Sequence, residues 1–358
     1  METKIVSDLL VFRRMRDEWN ELATRTQSPL LRHEWFAAGA EHSPLHAILV
    51  RSGGKLRAAA PLMATRQLGV PQLRILGYDQ GEPGGLLYDS EEALEMLLES
   101  ILTTRHSFTL TKFNTATQEI GVLEQMLPKF SIRITFNPRT SLWVPLKDRW
   151  EDFEATMSTK RRSDLRRYHR RAERHGEVVF EAVSPDVDTL SPYLEELFRL
   201  EAAGWKGRSG TAILSSDAKA RFYHRYATTA AEAGMLRMFR LRIGGKTAAT
   251  RMAVVHGGRM WDLRIAYDEA LSECAPGILL THESMRQAVG EGLEAYEFLG
   301  RAEDWERLWP CQEHHYRSVK VYPCSVSGGL SVVQDGCRSA AKRISYIVQR
   351  YAQTQPAH

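Results

Sequence analysis

HAILVRSGGKLRAAAPLM, residues His46–Met63, and MFRLRIGGKTAATRMAV, residues Met238–Val254, share one pattern. Each reads as a strand, a Gly-Gly-Lys turn and a returning strand that contains alanine. Paired glycines supply the positive φ angles that a two-residue hairpin turn requires. Each hairpin follows a predicted helix and precedes further strands and helices. The repetition predicts a duplicated α/β unit, although two such hairpins could also arise by coincidence.

The length of the chain agrees with a duplication. Its 358 residues suffice for two domains of about 150 residues each. We therefore expect an α/β (α+β) fold in which mixed sheets are flanked by helices. The predicted units are residues 1–150 and 151–325, followed by a helical extension at 326–358.

The composition is that of an ordinary globular protein. Hydrophobic residues make up 43% of the chain and charged residues 26%, which excludes a disordered or low-complexity protein. No apolar run approaches the roughly 18 residues of a membrane span, and no signal peptide is visible, so we expect a cytoplasmic protein. Four cysteines in a chain of this length exclude a disulfide scaffold.

Positive charge is concentrated in one segment. Residues 160–175, KRRSDLRRYHRRAERH, carry Lys160 and seven arginines against two acidic residues, a net +6, whereas the whole chain is +4. The spacing of Leu165, Tyr168 and Ala172 predicts a helix, capped at Ser158 or Thr159 and ended by Gly176. Its arginines form either a solvated face or a site for donor phosphates, a nucleotide-linked acceptor, RNA or an acidic membrane surface.

Several common catalytic motifs are absent from the sequence. Gly244-Gly245-Lys246-Thr247 ends like a P-loop, but Arg240 stands where that motif has its first glycine. The sequence contains neither a Gly-x-Ser-x-Gly elbow nor a dinucleotide fingerprint. Cys311-Gln-Glu-His314-His315 resembles part of a metal site but has no second ligand pair at zinc-like spacing, so we expect no metal.

The run Met260–Leu299 suggests where chemistry takes place. A predicted strand ends in Ala266-Tyr267-Asp268, a loop leads to a helix that begins at Pro276-Gly277, and a strand at Ala295–Leu299 follows. Gly300 comes next, then Asp304-Trp305 and Trp309. A strand, a loop and a helix start in this order can place backbone N–H groups against an anionic ligand.

With these motifs the sequence resembles the CelD-type acetyltransferases of the GNAT superfamily, which are related to the FemAB-like peptidyltransferases. The resemblance covers most of the chain, and it rests on the order of several short motifs. These are Trp19-Asn20-Glu21-Leu22, Ser28-Pro29, His33-Glu34-Trp35, Ala59-Ala60-Pro61-Leu62, Ser158-x-Lys160-x-Arg162-x-x-x-Arg166-Arg167, Ala266-Tyr267-Asp268, Pro276-Gly277-x-Leu279-Leu280 and Phe298-Leu299-Gly300.

The resemblance implies two GNAT-like halves and transfer of an acyl group to an amine. The implied donor is acetyl-CoA or another acyl-CoA. The sequence departs from the group in two places. An aromatic–lysine pair usually follows Gly300, whereas this chain has Trp305-Glu306, and the glycine-rich pyrophosphate loop is reduced to Gly277.

Acyl transfer by direct attack requires a base for the amine proton and an acid for the leaving group. Asp262, His282 and Glu297 are candidate bases and Tyr267 is the best candidate acid, so we predict Asp262, Tyr267 and Glu297 as catalytic residues. Strand alternation places Asp262 and Arg264 on one face. The structural alternatives are an Asp262–Arg264 ion pair, a core aromatic at Tyr267 and a solvent-facing Glu297.

Donor and acceptor are predicted to bind beside these residues. Backbone amides at a helix start bind phosphate, which predicts donor contacts at Pro276, Gly277, Ile278 and Leu279. The glycine-rich segment around Trp205 reads either as a flexible cationic binding loop or as an ordinary connector after a helix. The predicted substrate-binding residues are Trp205, Lys206, Arg208, Arg264, Arg162 and Arg166.

The partner implied by this interpretation is a small-molecule amine, such as an amino sugar, an amino lipid precursor or an amino-acid-like molecule. One alternative is a FemAB-like transferase that uses aminoacyl-tRNA, which the basic helix favours. Another is a binding protein of polysaccharide assembly without catalysis. Tyr168 is the one aromatic residue in the basic segment, which disfavours nucleic acid as a general partner.

Overall fold

The computed structural model describes residues 1–127, 131–136 and 138–354, with side chains as far as residue 340. The strands are β1 (Glu2–Val6), β2 (Ala47–Ser52), β3 (Lys55–Ala60), β4 (Leu62–Gln67), β5 (Val70–Ile75), β6 (Leu87–Tyr88), β7 (Ser107–Asn114), β8 (Ile132–Thr135), β9 (Arg139–Pro145), β10 (Val178–Val183), β11 (Leu236–Ile243), β12 (Lys246–His256), β13 (Arg259–Tyr267), β14 (Ala295–Glu297) and β15 (Gln312–Tyr322). The helices are α1 (Leu9–Arg14), α2 (Arg16–Ala23), α3 (His33–Ala40), α4 (Glu91–Thr103), α5 (Glu119–Met126), α6 (Trp150–Thr156), α7 (Thr159–Glu173), α8 (Ser191–Ala203), α9 (Trp205–Arg208), α10 (Asp217–Glu232), α11 (Pro276–Gly290) and α12 (Val326–Thr354). Within the described residues, no helix combines the length and apolar character needed to cross a membrane.

The strands form two sheets. The smaller has the order β1-β2-β3-β6, and the larger has the order β10-β11-β12-β13-β14-β9-β15-β7-β5-β4, with β8 also paired to β15. Most neighbours are antiparallel, but β13 pairs with β14 and β5 with β7 in parallel. Helix α11 connects the first parallel pair, and α4 lies between β5 and β7 in the chain. The predicted α/β class with mixed sheets flanked by helices is confirmed.

The two Gly-Gly hairpins form as predicted and match in detail. Gly53 and Gly54 have φ angles of 57° and 79°, and Gly244 and Gly245 have 57° and 77°. Each hairpin also has an irregular register three residues before its first glycine, after Val50 in β2 and after Leu241 in β11. Shared turn geometry and a shared irregularity support a duplicated unit.

The two units exchange strands at the centre of the large sheet. Strand β9, from the first half of the sequence, pairs with β14, while β15, from the end of the second half, pairs with β7. The exchanged strands also pair with each other. The large sheet therefore contains strands from both sides of the predicted boundary at residue 150. The boundaries at 150 and 325 stay a prediction.

The basic segment forms helix α7 with the predicted caps. The Ser158 hydroxyl accepts a hydrogen bond from the Arg161 backbone N–H at 3.2 Å, and Gly176, with φ of 128°, follows the helix. Leu165 and Ala172 are buried against the second half of the protein. Burial of these two residues fixes which face of α7 carries the free arginines.

Candidate functional site

A cleft opens where two parallel strands part. Strands β13 and β14 pair at only three positions, the last of which joins Trp261 and Glu297. Strand β14 ends there, earlier than the predicted Leu299, because Leu299 and Gly300 both take positive φ angles and the chain turns away. Strand β13 continues to Tyr267, and beyond Trp261 no strand of the described residues pairs with it on that side.

The cleft has a volume of about 490 Å³. Its walls are β13, the segment after β14, the start of α11, the short helix α9 and one residue from the first half of the chain. The lining residues are Glu82, Trp205, Lys206, Asp262, Leu263, Arg264, Ile265, Tyr267, Ser272, Ala275, Pro276, Gly277, Ile278, Phe298, Leu299, Gly300, Arg301, Glu303, Trp305 and Glu306.

The corresponding position in the first unit is filled. Beyond the end of β5, side chains of Leu30, Trp35 and Phe36 leave a space of only about 10 Å³. Glu82 borders both spaces, and one of its carboxylate oxygens accepts a hydrogen bond from the Gly300 backbone N–H at 3.3 Å. Of these two positions in the described residues, the one in the second unit is therefore the more open.

A bulge in β13 corrects the predicted placement of Asp262 and Arg264. The register between β12 and β13 shifts by one residue between Arg264 and Asp262, so these side chains do not share a face. Asp262 pairs with Arg251, whose other contacts lie beneath α11. Arg264 instead contacts the hydroxyl and the ring face of Tyr223 on α10, with its guanidinium carbon 4.4 Å from the ring centroid. An Asp262–Arg264 ion pair is therefore wrong, although both residues line the cleft.

Asp262 is one of three buried acids on the cleft wall, the others being Glu82 and Glu306. Its Oδ2 lies 3.2 Å from Arg251 Nη2, and its Oδ1 has no hydrogen-bond partner among the described residues. Burial raises the pKa of the Asp262 carboxyl, and the Arg251 guanidinium opposes that rise. Arg251, fully buried, also donates to Thr281 Oγ1 at 2.6 Å and to the Tyr296 hydroxyl. A buried carboxyl with a raised pKa on a cleft wall is a candidate for proton exchange with a bound ligand.

The second acid, Glu306, was not predicted. It begins a 3-10 turn after Trp305, and one carboxylate oxygen accepts from the Glu303 backbone N–H at 3.0 Å. Burial raises the pKa of Glu306 to about 8, and the nearby charges of Glu303 and Asp262 add to the rise. The sequence did contain a sign of its importance, because Glu306 stands where the CelD-type acetyltransferases usually have lysine.

The start of α11 is tightly wound. Ala275, with φ of 47°, precedes Pro276, and the backbone N–H groups of Ile278 and Leu279 both donate to the Ala275 carbonyl. Among residues 276–279, Gly277 alone has a backbone N–H without an internal partner, since proline has none. Pro276, Gly277 and Ile278 line the cleft, whereas Leu279 is buried in the core below and is not part of the cleft wall.

Gly277 lies against the end of β13. A Cβ at this position would approach Tyr267 Cδ1 to 3.3 Å and Ile265 Cδ1 to 3.6 Å. Tyr267, as predicted, lines the cleft at the strand end. A side chain at position 277 would therefore crowd the wall that Tyr267 forms.

The segment around Trp205 is a short helix rather than a flexible loop. Lys206 Nζ donates to Glu201 Oε1 and to the Ile265 carbonyl of β13, each at 2.9 Å. Glu269 accepts from the Trp205 backbone N–H and from Arg208, both at 2.7 Å. Trp205 and Lys206 line the cleft, but Arg208 lies outside it.

Three further predicted residues lie outside the cleft. Glu297 is buried and pairs with Arg259 at 2.6 Å and with His314 at 3.2 Å, so the solvent-facing alternative is wrong. Arg162 and Arg166 are on α7 and do not line the cleft. The further candidate base His282 contacts Glu283 and Trp150 and is likewise not part of the cleft wall.

Helix α7 nevertheless packs beside the turn that leads into α11. Arg171 donates to the Glu273 carbonyl at 3.1 Å, in the 3-10 turn Glu269–Cys274 that leads into α11. Arg161 and Arg167 pair with Asp164. In the described residues no ion pair involves Arg162, Arg166 or Arg170.

One group of potential metal ligands is found in the described part of the chain. His175, Glu273 and Cys274 have ligand atoms within 4.8 Å of one another, at the junction of α7 and the turn before α11. His175 Nε2 lies 3.0 Å from Glu273 Oε1. The Cys311–His315 segment noted in the sequence does not form such a group among the described residues.

Comparison with known proteins identifies the domain that holds the cleft. The family model "Acetyltransferase (GNAT) domain" matches residues 159–307, from the start of α7 to the residue after Glu306. No curated protein sequence matches the chain significantly. Residues 159–307 are therefore similar to GNAT-type acetyltransferase domains, and they hold most of the cleft wall.

Solved structures share the tandem fold. FemX is 13% identical with a TM-score of 0.59, covering 88% of this chain and 97% of that one. The C-terminal domain of a protein assigned as a lysylphosphatidylglycerol synthetase, from Agrobacterium fabrum, is 15% identical with a TM-score of 0.56, covering 90% and 96%. A tandem GNAT protein from the clavulanic acid biosynthesis pathway is 12% identical with a TM-score of 0.50, covering 89% and 98%. At these identities the likeness establishes the fold.

Proposed function

We propose that this GNAT-type acyltransferase moves an acyl group from acyl-CoA to the amine of a small acceptor. The observation that carries the proposal is the open cleft between the parting strands β13 and β14, which the start of α11 and two acids with raised pKa values border. The CelD-type assignment is part of this proposal and rests on the sequence motifs. The acceptor class stays as predicted: an amino sugar, an amino lipid precursor or an amino-acid-like molecule.

The donor is expected along the α11 wall. Gly277 supplies a free backbone N–H and, lacking a Cβ, lets a ligand approach the helix start. Pro276 and Ile278 flank it on the cleft wall. The unpaired arginines of α7 lie on the helix that packs against the turn before α11, where they would attract phosphate groups. When bound, acyl-CoA supplies a thioester carbonyl as the electrophile.

Glu306 is the proposed base. Its carboxylate accepts the proton of the attacking amine as the new C–N bond forms, and the C–S bond then breaks. Tyr267 is placed to return a proton to the leaving sulfur, since its side chain lines the same cleft. Backbone N–H groups of β13 beyond Trp261, which have no partner strand on that side, can stabilise the negative oxygen. Asp262 provides a second exchangeable proton beside Glu306.

The acceptor is expected beside Trp205, Lys206 and Arg264. These residues line the cleft, as do the acids Glu82 and Glu303. Acidic groups favour a cationic amine, while Trp205 offers an apolar surface for the body of the acceptor. Lys206 is held by Glu201 and the Ile265 carbonyl, which fixes the shape of this wall.

An aminoacyl-tRNA donor is a second candidate. Two observations favour it. Helix α7 carries unpaired arginines, and the start of α11 offers a single free backbone N–H, which is a small binding site for the pyrophosphate of coenzyme A. The two donors differ in size and charge, so a filter-binding comparison of aminoacyl-tRNA with acetyl-CoA separates them. The non-catalytic alternative fits less well, because a binding protein without chemistry has no need of two acids with raised pKa values.

Substitution of Gly277 tests the donor site. In Gly277→Asp the new side chain meets the Tyr267 ring and brings negative charge to the proposed phosphate position, so we expect acyl-CoA binding to be lost. Isothermal titration calorimetry with acetyl-CoA and longer acyl-CoAs measures it. Gly290→Asp is the matched control, because a Cβ at Gly290, at the other end of α11, contacts nothing within 4 Å. Parental affinity in a folded Gly277→Asp variant would place the donor elsewhere.

The arginines of α7 are tested by charge removal. Replacing Arg162, Arg166 and Arg170 with glutamine should weaken donor binding at low salt by about tenfold or more and reduce its salt dependence, because exposed charges act through screened attraction. The melting temperature should hardly change. Glutamine at the exposed Lys4, Arg14 and Lys55 of the first half removes the same charge as a control. A loss of stability without a loss of affinity would make α7 a purely structural helix.

A further inference from the structure

Helix α12 carries an apolar face that points away from the rest of the protein. Val326, Leu330 and Val333 follow one another at spacings of four and three residues, which places them on one side of a helix. Their exposed fractions are 84%, 51% and 63%. Such a row of large apolar side chains in water is unusual unless another surface covers it.

The opposite side of α12 is fixed to the large sheet. Asp335 accepts hydrogen bonds from the Tyr322 hydroxyl at 2.7 Å and from Gln67 Nε2 at 3.2 Å, and it pairs with the buried Lys320. Ser331, on the same side, is fully buried. These contacts set the rotation of the helix, so the apolar face cannot turn inward without breaking them.

The sequence continues the pattern along the rest of the helix. Cys337, Ile344, Val348 and Tyr351 keep the same spacing, and the helix runs to Thr354. The four charged residues after Asp335 are all basic: Arg338, Lys342, Arg343 and Arg350. The part of the sequence after Asp335 therefore adds only positive charge.

A second apolar group lies beside this face. Leu68, at the tip of the β4–β5 hairpin, is 81% exposed, and its carbonyl accepts a hydrogen bond from Gln334 of α12 at 3.4 Å. Its φ of 47° is a backbone conformation that leucine rarely adopts, in a turn where Asn or Gly is usual. A strained, exposed leucine next to an exposed apolar helix face indicates a shared apolar contact.

We propose that the α12 face, defined as Val326, Leu330, Val333 and the adjacent Leu68, binds the surface of an anionic lipid bilayer. A helix with one apolar stripe and a basic polar side lies in the interface of such a membrane, where lipid headgroups meet its positive charge. A second copy of the chain fits less well, because two helices without acidic residues after Asp335 would repel each other. The proposal does not depend on the identity of the donor or the acceptor.

Vesicle co-sedimentation of the full chain tests the proposal. We expect binding to vesicles of phosphatidylcholine mixed with phosphatidylglycerol to be at least about tenfold stronger than to phosphatidylcholine alone. Leu330→Ser with Val333→Ser should reduce binding to the anionic vesicles about tenfold or more, since it removes apolar contact area. Replacing Arg338, Lys342 and Arg343 with glutamine should remove the preference for anionic lipid. Leu10→Ser with Val11→Ser changes two exposed apolar residues of α1 and should bind like the parent.

Three results would overturn the proposal. The first is parental binding by a folded Leu330→Ser/Val333→Ser variant, and the second is no binding of the parent to either kind of vesicle. The third is a parent that sediments as a dimer in free solution, with a monomeric Leu330→Ser/Val333→Ser variant, which would assign the α12 face to a second copy of the chain. Melting temperature and circular dichroism establish that each variant is folded.

Discussion

Replacing Glu306 with glutamine lowers kcat/KM by about 100-fold or more and removes the rise in activity that we expect in the parent as the pH passes about 8. The carboxyl accepts a proton only when it is ionised. Because burial raises its pKa to about 8, the active form accumulates only as the pH approaches and exceeds that value. Glutamine keeps the shape of the side chain and cannot accept the proton.

The profile is best measured with an acceptor amine whose own pKa lies far below that of Glu306, so that ionisation of the acceptor does not produce the same rise. Glu313→Gln is the matched control, since Glu313 is exposed, pairs with Arg307 and lies outside the cleft. A Glu306→Gln variant that keeps both the parental rate and the rise near pH 8 would exclude Glu306 as the base.

The raised pKa of Glu306 also has a consequence for stability. The unfolded chain releases this proton near the ordinary value of 4.5, whereas the folded protein holds it to about pH 8. Stability contributed by this group is therefore lost as the pH rises from about 4.5 to about 8. The melting temperature of Glu306→Gln relative to the parent should increase between pH 5 and pH 9, which checks the pKa without any assay of activity.

Replacing Asp262 with asparagine lowers turnover by about 100-fold or more while donor binding persists. The change removes a proton-exchanging group from the cleft and leaves Arg251 buried without its charged partner, so some loss of stability is expected as well. Free thiol released from acyl-CoA measures turnover, and calorimetry measures donor binding. The two together separate a loss of chemistry from a loss of fold.

Two further variants are measured together with Asp262→Asn. Tyr267→Phe removes only a hydroxyl from the cleft wall, and a reduced rate would support its role as the acid. Glu297→Gln should leave turnover close to that of the parent and lower the melting temperature, because Glu297 pairs with Arg259 and His314 outside the cleft. Full activity in both Asp262→Asn and Tyr267→Phe would remove these residues from the mechanism.

Local features of the fold could be predicted from the sequence. The Gly-Gly hairpins and the capped helix α7 depend on turn and cap preferences that act over a few residues, and both form as expected. The exchange of β9 and β15 could not be predicted, because it joins strands that are far apart in the sequence. Nothing in the composition of these strands specifies which sheet they complete.

Only part of the candidate site could be predicted from the sequence. Tyr267 and Gly277 were found from the strand–loop–helix order, and both line the cleft. The pairing of Asp262 with Arg251 was missed because a bulge interrupts the alternation of β13. Glu306 was seen only as a departure from a family motif, since its raised pKa arises from burial that is visible in the folded protein.

The most direct test of the account is thiol release from acyl-CoA in the presence of a panel of small amines, measured for the parent and for Gly277→Asp side by side. We expect amine-dependent thiol release by the parent, with one or more acyl-CoA donors, and no release by the folded Gly277→Asp variant. Equal release by both proteins would place the chemistry outside the cleft between β13 and β14. No release by the parent with any acyl-CoA, together with transfer from aminoacyl-tRNA, would contradict the proposed donor.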